Sequence, residues 1–238
     1  MTKAFKTSRL FGLLALLAGL MAFSATAAQA EPGAYWEVGG TQIKDKTLLP
    51  SFNIRNDSPH IILLSKSGLA TLEIDCTEFE LFFGLLHELG RATGSIEFNG
   101  CITRLAGSEA PLCKPHSPAT PEETIITESL EGLLKLHKPA AGGTEDVLEL
   151  KPVNAAGPFV KLNLGSGKCA IKGADLTGVI FLKDCKGLGL TNEREHLFEE
   201  FKALTKLLYG ANPATIDGSA WAFLTGAHAG ELWSGHPA

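Results

Sequence analysis

Beyond its opening segment the chain has no apolar run near 18 residues, so no further transmembrane helix is expected. Positive charge is also scarce, with 21 Lys and Arg against 26 Asp and Glu. Three of the basic residues and none of the acidic ones fall in the first thirty positions. The remainder therefore carries 18 basic against 26 acidic side chains, a formal charge of −8. A nucleic-acid binder shows a basic face, and this balance argues against one.

The signatures of catalysis and of metal binding are missing as well. "HELGR" at His87 has Arg91 where a zinc-protease helix needs its second histidine, and one ligand cannot hold the metal on a helix face. "GSGK" at Gly165 to Lys168 has Leu162 where a phosphate loop has its first glycine, and Cys169 where it has Ser or Thr. That stretch reads as a hairpin turn. No G-x-S-x-G elbow occurs. Cys113-Lys-Pro-His116 offers a thiolate and an imidazole, but no second pair completes four zinc ligands. His60, His87, His116, His137, His196, His228 and His236 are spread over different elements. Glu199 and Glu200, being adjacent on an expected helix, point apart and do not form a glycosidase pair. No catalytic residue, cofactor site or metal site is assigned.

What is present begins with "MTKAFKTSRLFGLLALLAGLMAFSATAAQA". Lys3, Lys6 and Arg9 precede fourteen residues of apolar character, Leu10 to Phe23, which are too few to span a bilayer. Ala28-Gln29-Ala30 then supplies the A-x-A pattern of signal peptidase. Residues 1–30 are expected to be a secretory signal cleaved after Ala30, and no cysteine stands at the cut to take a lipid. The other 208 residues, 31–238, suit a single domain. The expected location is periplasmic or extracellular.

That compartment bears on Cys76, Cys101, Cys113, Cys169 and Cys185, because cysteines pair in oxidising surroundings. Two bridges and one leftover thiol can be arranged in fifteen ways, and spacing does not choose. The favoured set joins Cys101 to Cys113 across a loop rich in Gly, Pro and Ser, and Cys76 to Cys169, leaving Cys185 free. A Cys169–Cys185 bridge is the rival.

Between turn residues lie runs of strand length: "AYWEV", "SFNIRN", "HIILLSK", "LATLEIDC", "GSIEFNGC", "GLLKLHK", "DVLELKP", "FVKLNL", "CAIK", "GVIFLKDC" and "SAWAFLTG". Their number and spacing predict a mainly β fold, an antiparallel sandwich or barrel. "DVLELKP" alternates imperfectly, which leaves its buried face open. "FELFFGLLHEL" predicts a strand from Phe79 to Phe83, turning across Gly84 to Gly94. Residues 105–123 and 139–145 read as surface loops. Trp36, Trp221 and Trp233 read as core or core-edge anchors.

One late helix is predicted over Thr191 to Gly210, "TNEREHLFEEFKALTKLLYG". Asn192 with Glu195 forms a capping pair, Lys202 and Lys206 load the later turns, and Gly210 is the stop. Leu197, Phe198, Phe201, Leu204 and Leu208 line one face.

The order "YWEVGG", "LEIDC", "GSIEFNGC", "PLC", "GKCAIKG" and "ATIDGSAWAFLTGAHAGELW" resembles a poorly characterised group of secreted bacterial proteins. A tryptophan-containing opening, an F-x-G-C motif and spaced cysteines recur in that group. The resemblance implies that the first four cysteines form a paired set, from which Cys185 departs, and it implies no activity. The sequence thus predicts a disulfide-stapled, non-enzymatic binding or structural protein with an envelope or extracellular partner. The alternatives are a β-barrel carrier of a small apolar ligand or lipid, motivated by "IILL" and "VIFL", and a secreted hydrolase assembled from separate loops.

Overall fold

The computed structural model describes residues 33–44, 49–56, 61–67, 70–138, 142–165, 167–184, 191–197 and 206–238. Among them the regular structure is β-strand, with a single 3-10 turn at Gly226–His228. In chain order the strands are β1 (Tyr35–Val38), β2 (Thr41–Gln42), β3 (Ser51–Asn56), β4 (Ile61–Ser67), β5 (Ala70–Cys76), β6 (Glu78–Leu86) and β7 (Arg91–Asn99). There follow β8 (Ile102–Leu105), β9 (Ser108–Glu109), β10 (Pro115–His116), β11 (Ile125–Ile126), β12 (Leu130–His137), β13 (Glu145–Pro152) and β14 (Asn163–Leu164). The last are β15 (Leu176–Asp184), β16 (Glu193–Leu197), β17 (Lys206–Tyr209), β18 (Asn212–Asp217), β19 (Ser219–Leu224) and β20 (Trp233–His236).

All pairings are antiparallel, and one sheet curls until its order returns to its start. The path runs β13, β12, β7, β6, β3, β19, β16 and β15, and β15 pairs again with β13 through Leu148↔Leu182 and its neighbours. A circuit of eight strands is just narrow enough for side chains to fill. The interior is lined by residues of β3, β6, β7, β12, β13, β15 and β19, among them Ile54, Leu81, Ile96, Leu130, Leu148 and Ala222. Outward positions carry charge. Glu131 is paired with Arg91 and Lys151, Lys135 with Glu149 at 2.8 Å, and Lys183 with Glu145 at 3.3 Å. Val147 and Leu133 lie in register beside these charges and are nonetheless buried, so both faces of "DVLELKP" contribute to packing.

β6, β7 and β15 are nine residues long, a length that could cross a membrane as a strand. Such a barrel is apolar outside, and this circuit has the reverse arrangement, apolar inside and charged outside. Among the described residues no helix is long and apolar enough to cross a membrane.

β15 belongs to two sheets. Its second half closes the circuit, while Leu176–Val179 pair with β17, which begins a second run through β18, β4, β5, β8 and β9. Just before the change of partner stands Gly178, where φ is +116° and an added Cβ would stand 1.8 Å from the Lys206 carbonyl oxygen. Only glycine fits that approach. Between the second sheet and the strap Phe159–Leu162 lies further core, with Ile74, Phe98, Ile125 and Ile216. The small sheet β2-β1-β20 closes the circuit by placing Trp36 and Trp233 on its lining, their rings 5.8 Å apart.

Several expectations are corrected. The late helix is not present in the described parts of its span: Glu193–Leu197 pair with β19 and β15, and Lys206–Tyr209 pair with β15 and β18. Residues 198–205 lie outside the described residues. "CAIK" is not a strand. β6 runs through Gly84 to Leu86 and turns only at Glu88–Gly90, because its register shifts at a bulge between Phe82 and Leu85. The segment 105–123 holds β9, β10 and a buried Cys113 rather than forming an open loop throughout. The bridges are Cys76–Cys101 and Cys113–Cys169, not Cys101–Cys113 and Cys76–Cys169. The end of β5 and the turn after β7 bring the first pair together, and the loop beyond β14 carries Cys169 to Cys113. The rival Cys169–Cys185 bridge is excluded by the second pair, and Cys185 itself lies outside the described residues.

Candidate functional site

The interior of the curled sheet is the first place to look for a ligand. Its free space is about 50 Å³ and its lining is wholly apolar, against about 300 to 1,000 Å³ for ordinary ligand pockets. Side chains have used the volume.

The histidines come next. His236, Ser234 and Glu37 do meet, on the face of the β1–β20 ladder turned away from the two tryptophans. Ser234 Oγ lies 2.7 Å from His236 Nε2, and Glu37 Oε2 lies 3.3 Å from the same nitrogen. A serine relay needs the carboxylate on the other ring nitrogen, so that one nitrogen accepts while the other donates. Ser234 is moreover 0% exposed, which denies its oxygen to any substrate. Tyr35 stacks on the His236 ring at 4.4 Å, and the cluster serves to pin the first strand to the last.

His87, His116 and His228 each have partners of their own. His87 Nε2 contacts Thr93 Oγ1 at 2.7 Å, and burial, aided by the Arg91 charge, lowers its pKa. His116 Nδ1 is 3.2 Å from the Lys114 carbonyl oxygen, while the Lys114 ammonium takes Glu122 and Glu123, at 3.3 and 3.0 Å. His228 pairs with Glu231 at 3.2 Å. No group of three His, Cys, Asp or Glu suited to a metal occurs among the described residues. Cys113, which with His116 invited a metal reading, has its sulfur in a disulfide.

The most developed surface feature is a hollow of about 490 Å³ between β3 and β6. These strands pair only through Ser51↔Leu85 and Phe52↔Gly84 and then separate. Asparagine side chains fill the widening gap. Asn53 Oδ1 accepts from the Ile54 and Leu81 N–H groups at 2.7 and 2.9 Å. Asn56 Oδ1 accepts from the Phe79 N–H at 2.8 Å, and its Nδ2 donates to the Thr77 carbonyl at 2.6 Å. These amides take the place of the missing ladder bonds. Arg55 lies 5.6 Å from the centroid of the Phe223 ring and is paired with Glu193 at 2.8 Å. Glu78, Glu80 and Asn99 complete the rim. Replacing Asn53 with alanine would strip two backbone donors of their acceptor. A loss of about 1 to 3 kcal/mol in urea denaturation is expected, and an unchanged midpoint would show that water serves equally well there.

Sequence reading placed no residue of this hollow in a site. The available signal was "EFELFFG", in which strict alternation breaks at the double phenylalanine before Gly84, the mark of a bulge. No protein-family model, curated protein or solved structure matches the chain.

Proposed function

We propose that the chain is a secreted, disulfide-stapled, non-enzymatic binding protein of the cell envelope or extracellular space, acting through its outer surface. The observation that carries this reading is the contrast between a filled, apolar interior of about 50 Å³ and an open polar hollow of about 490 Å³ on the outside. The opening thirty residues and the two bridges support the compartment. The carrier alternative rests on the wholly apolar lining, but that interior would have to open several-fold to take a lipid. The hydrolase alternative rests on Ser234, His236 and Glu37, which share one ring nitrogen around a buried hydroxyl.

Intact mass spectrometry of the protein recovered from the periplasm or medium, under native conditions, provides the test. Loss of residues 1–30, four fewer hydrogens from two bridges and no bound ligand are expected. A copurifying lipid would favour the carrier. Turnover of ester, peptide or glycoside substrates, abolished by Ser234→Ala, would refute the non-enzymatic reading.

A further inference from the structure

The outward face of β6 and β7 breaks three local rules at once. Glu80 stands directly opposite Glu97 in the ladder, and Glu78, opposite Asn99, lies on the same face. Like charges directly across an antiparallel pair are destabilising. No ion pair relieves Glu78, Glu80 or Glu97 among the described residues, and Arg55, the cation of the adjoining hollow, is already taken by Glu193. At the end of this face alternation carries Phe82 outward, opposite Ser95, and the bulge that follows leaves Phe83 88% exposed with φ at +54°. A bulky residue in the left-handed region is strained, and an exposed phenyl ring gains nothing from water. Elsewhere such features occur apart from unpaired acids: Leu89 is 52% exposed with φ at +59°, while Glu131 and Glu149 on β12 and β13 are ion-paired. Three unresolved conflicts side by side mark a surface shaped by something other than stability.

Resting on the binding reading above, we infer that the β6–β7 face, with Phe82–Phe83 and the hollow beside it, docks a basic segment of a partner protein that alternates cationic and apolar side chains. The chemistry that answers each conflict defines that occupant. Ammonium or guanidinium groups set against Glu78, Glu80 and Glu97 would convert repulsion into attraction, and apolar or aromatic side chains would cover Phe82 and Phe83. Cations also bind well over aromatic faces. An anionic membrane surface would be repelled by the same carboxylates.

The test uses the secreted protein with a synthetic peptide alternating lysine and leucine, and its counterpart in which glutamate replaces lysine, followed by fluorescence anisotropy at low and physiological salt. The lysine peptide is expected to bind, more weakly as salt rises, and the glutamate peptide is not. The double variant Glu80→Gln/Glu97→Gln and the single variant Phe83→Gly should each weaken binding about tenfold or more. Both should leave the thermal midpoint unchanged or raise it, since each removes a conflict. Glu149→Gln, which deletes one negative charge already paired with Lys135, should bind as the parent does and be no more stable.

No binding by the parent protein would overturn the inference. So would equal loss in Glu149→Gln, which would indicate net charge alone, or full competition by spermine, a polycation whose short methylene links carry no apolar side chains to cover the phenylalanines. A lowered midpoint in both β6–β7 variants would make this face structural. Self-association abolished by Phe83→Gly would give the face to a second copy of the chain. None of these results would touch the non-enzymatic reading, which falls only on turnover.

Discussion

Replacing Trp233 with alanine is expected to lower the stability of the protein by about 3 to 5 kcal/mol, the range for truncating a fully buried large aromatic. Trp233 is 1% exposed and lines the interior of the curled sheet together with Trp36. Its indole N–H donates to the Asn192 carbonyl at 3.3 Å, and its backbone exchanges two hydrogen bonds with Thr191, at 2.8 and 3.2 Å. The indole therefore connects three things: the apolar interior, the chain entering β16, and the small sheet that joins the first strand to the last. Truncation removes the apolar contact and also opens space onto a cavity already lined with Leu86, Leu130 and Leu150. The enlarged cavity should then accept a small apolar probe such as benzene, as dry engineered cavities do. Urea denaturation read by far-UV circular dichroism measures the first effect, and a rise in thermal midpoint with added benzene measures the second. A loss below about 1 kcal/mol would mean that the interior collapses around the gap and that β1–β20 does not close it.

The second large effect is expected from Cys113→Ala/Cys169→Ala. These residues are 56 apart in sequence, and the loop-entropy model assigns a bridge of that span about 4 kcal/mol. The bridge ties two stretches that have little regular structure of their own. Cys113 follows β9, Cys169 lies in the irregular chain between β14 and β15, and the two are otherwise joined by the two-residue pairing of β10 with β14 and by the Gly165 N–H donating to the Lys114 carbonyl at 2.8 Å. Cys76→Ala/Cys101→Ala should cost somewhat less, about 3.5 kcal/mol, because 25 residues separate that pair. Non-reducing peptide mapping should recover the two linked pairs before either variant is made. A Cys101–Cys113 peptide instead would refute the placement of both loops, and equal midpoints for both variants and the parent would show that neither bridge restricts the denatured chain as the model requires.

Strands were largely legible in the sequence because a strand's signature is local. "SFNIRN" and "SAWAFLTG" carry β-branched and aromatic residues between turn residues, and they form β3 and β19, paired from Phe52↔Leu224 to Asn56↔Ala220. The error over Thr191–Gly210 has the same source. "KLLY" fits a helical stripe as well as it fits a strand, and four residues do not separate the two periods. Tertiary pairing decided it: Leu207 and Tyr209 both face the core when the segment lies between β15 and β18. The capping pattern at Asn192 and Glu195 is likewise overruled by the ladder from Glu193↔Phe223 to Leu197↔Ser219. In "CAIK" the reverse happened: Cys169 is tied to Cys113, and residues 169–172 pair in no ladder among the described residues. Beyond the broken alternation of "EFELFFG", the hollow beside β6 could not be read, because Asn53, Glu80 and Phe223 come from three strands that only the strand order of the sheet makes adjacent.

Composition, turn spacing and apolar patterning by themselves determined that the chain is mainly β, that it has an apolar opening segment with a cleavage pattern, and that four of its cysteines suit an oxidising compartment. Each of these depends on short-range properties of the chain, which survive without knowledge of its partners in space. Only the tertiary structure decided which cysteines meet, how the eight-strand circuit closes through β13 and β15, and which carboxylates and phenylalanines share one face. Those outcomes depend on long-range register, where one residue of slip turns every side chain to the opposite face, and no local pattern encodes it.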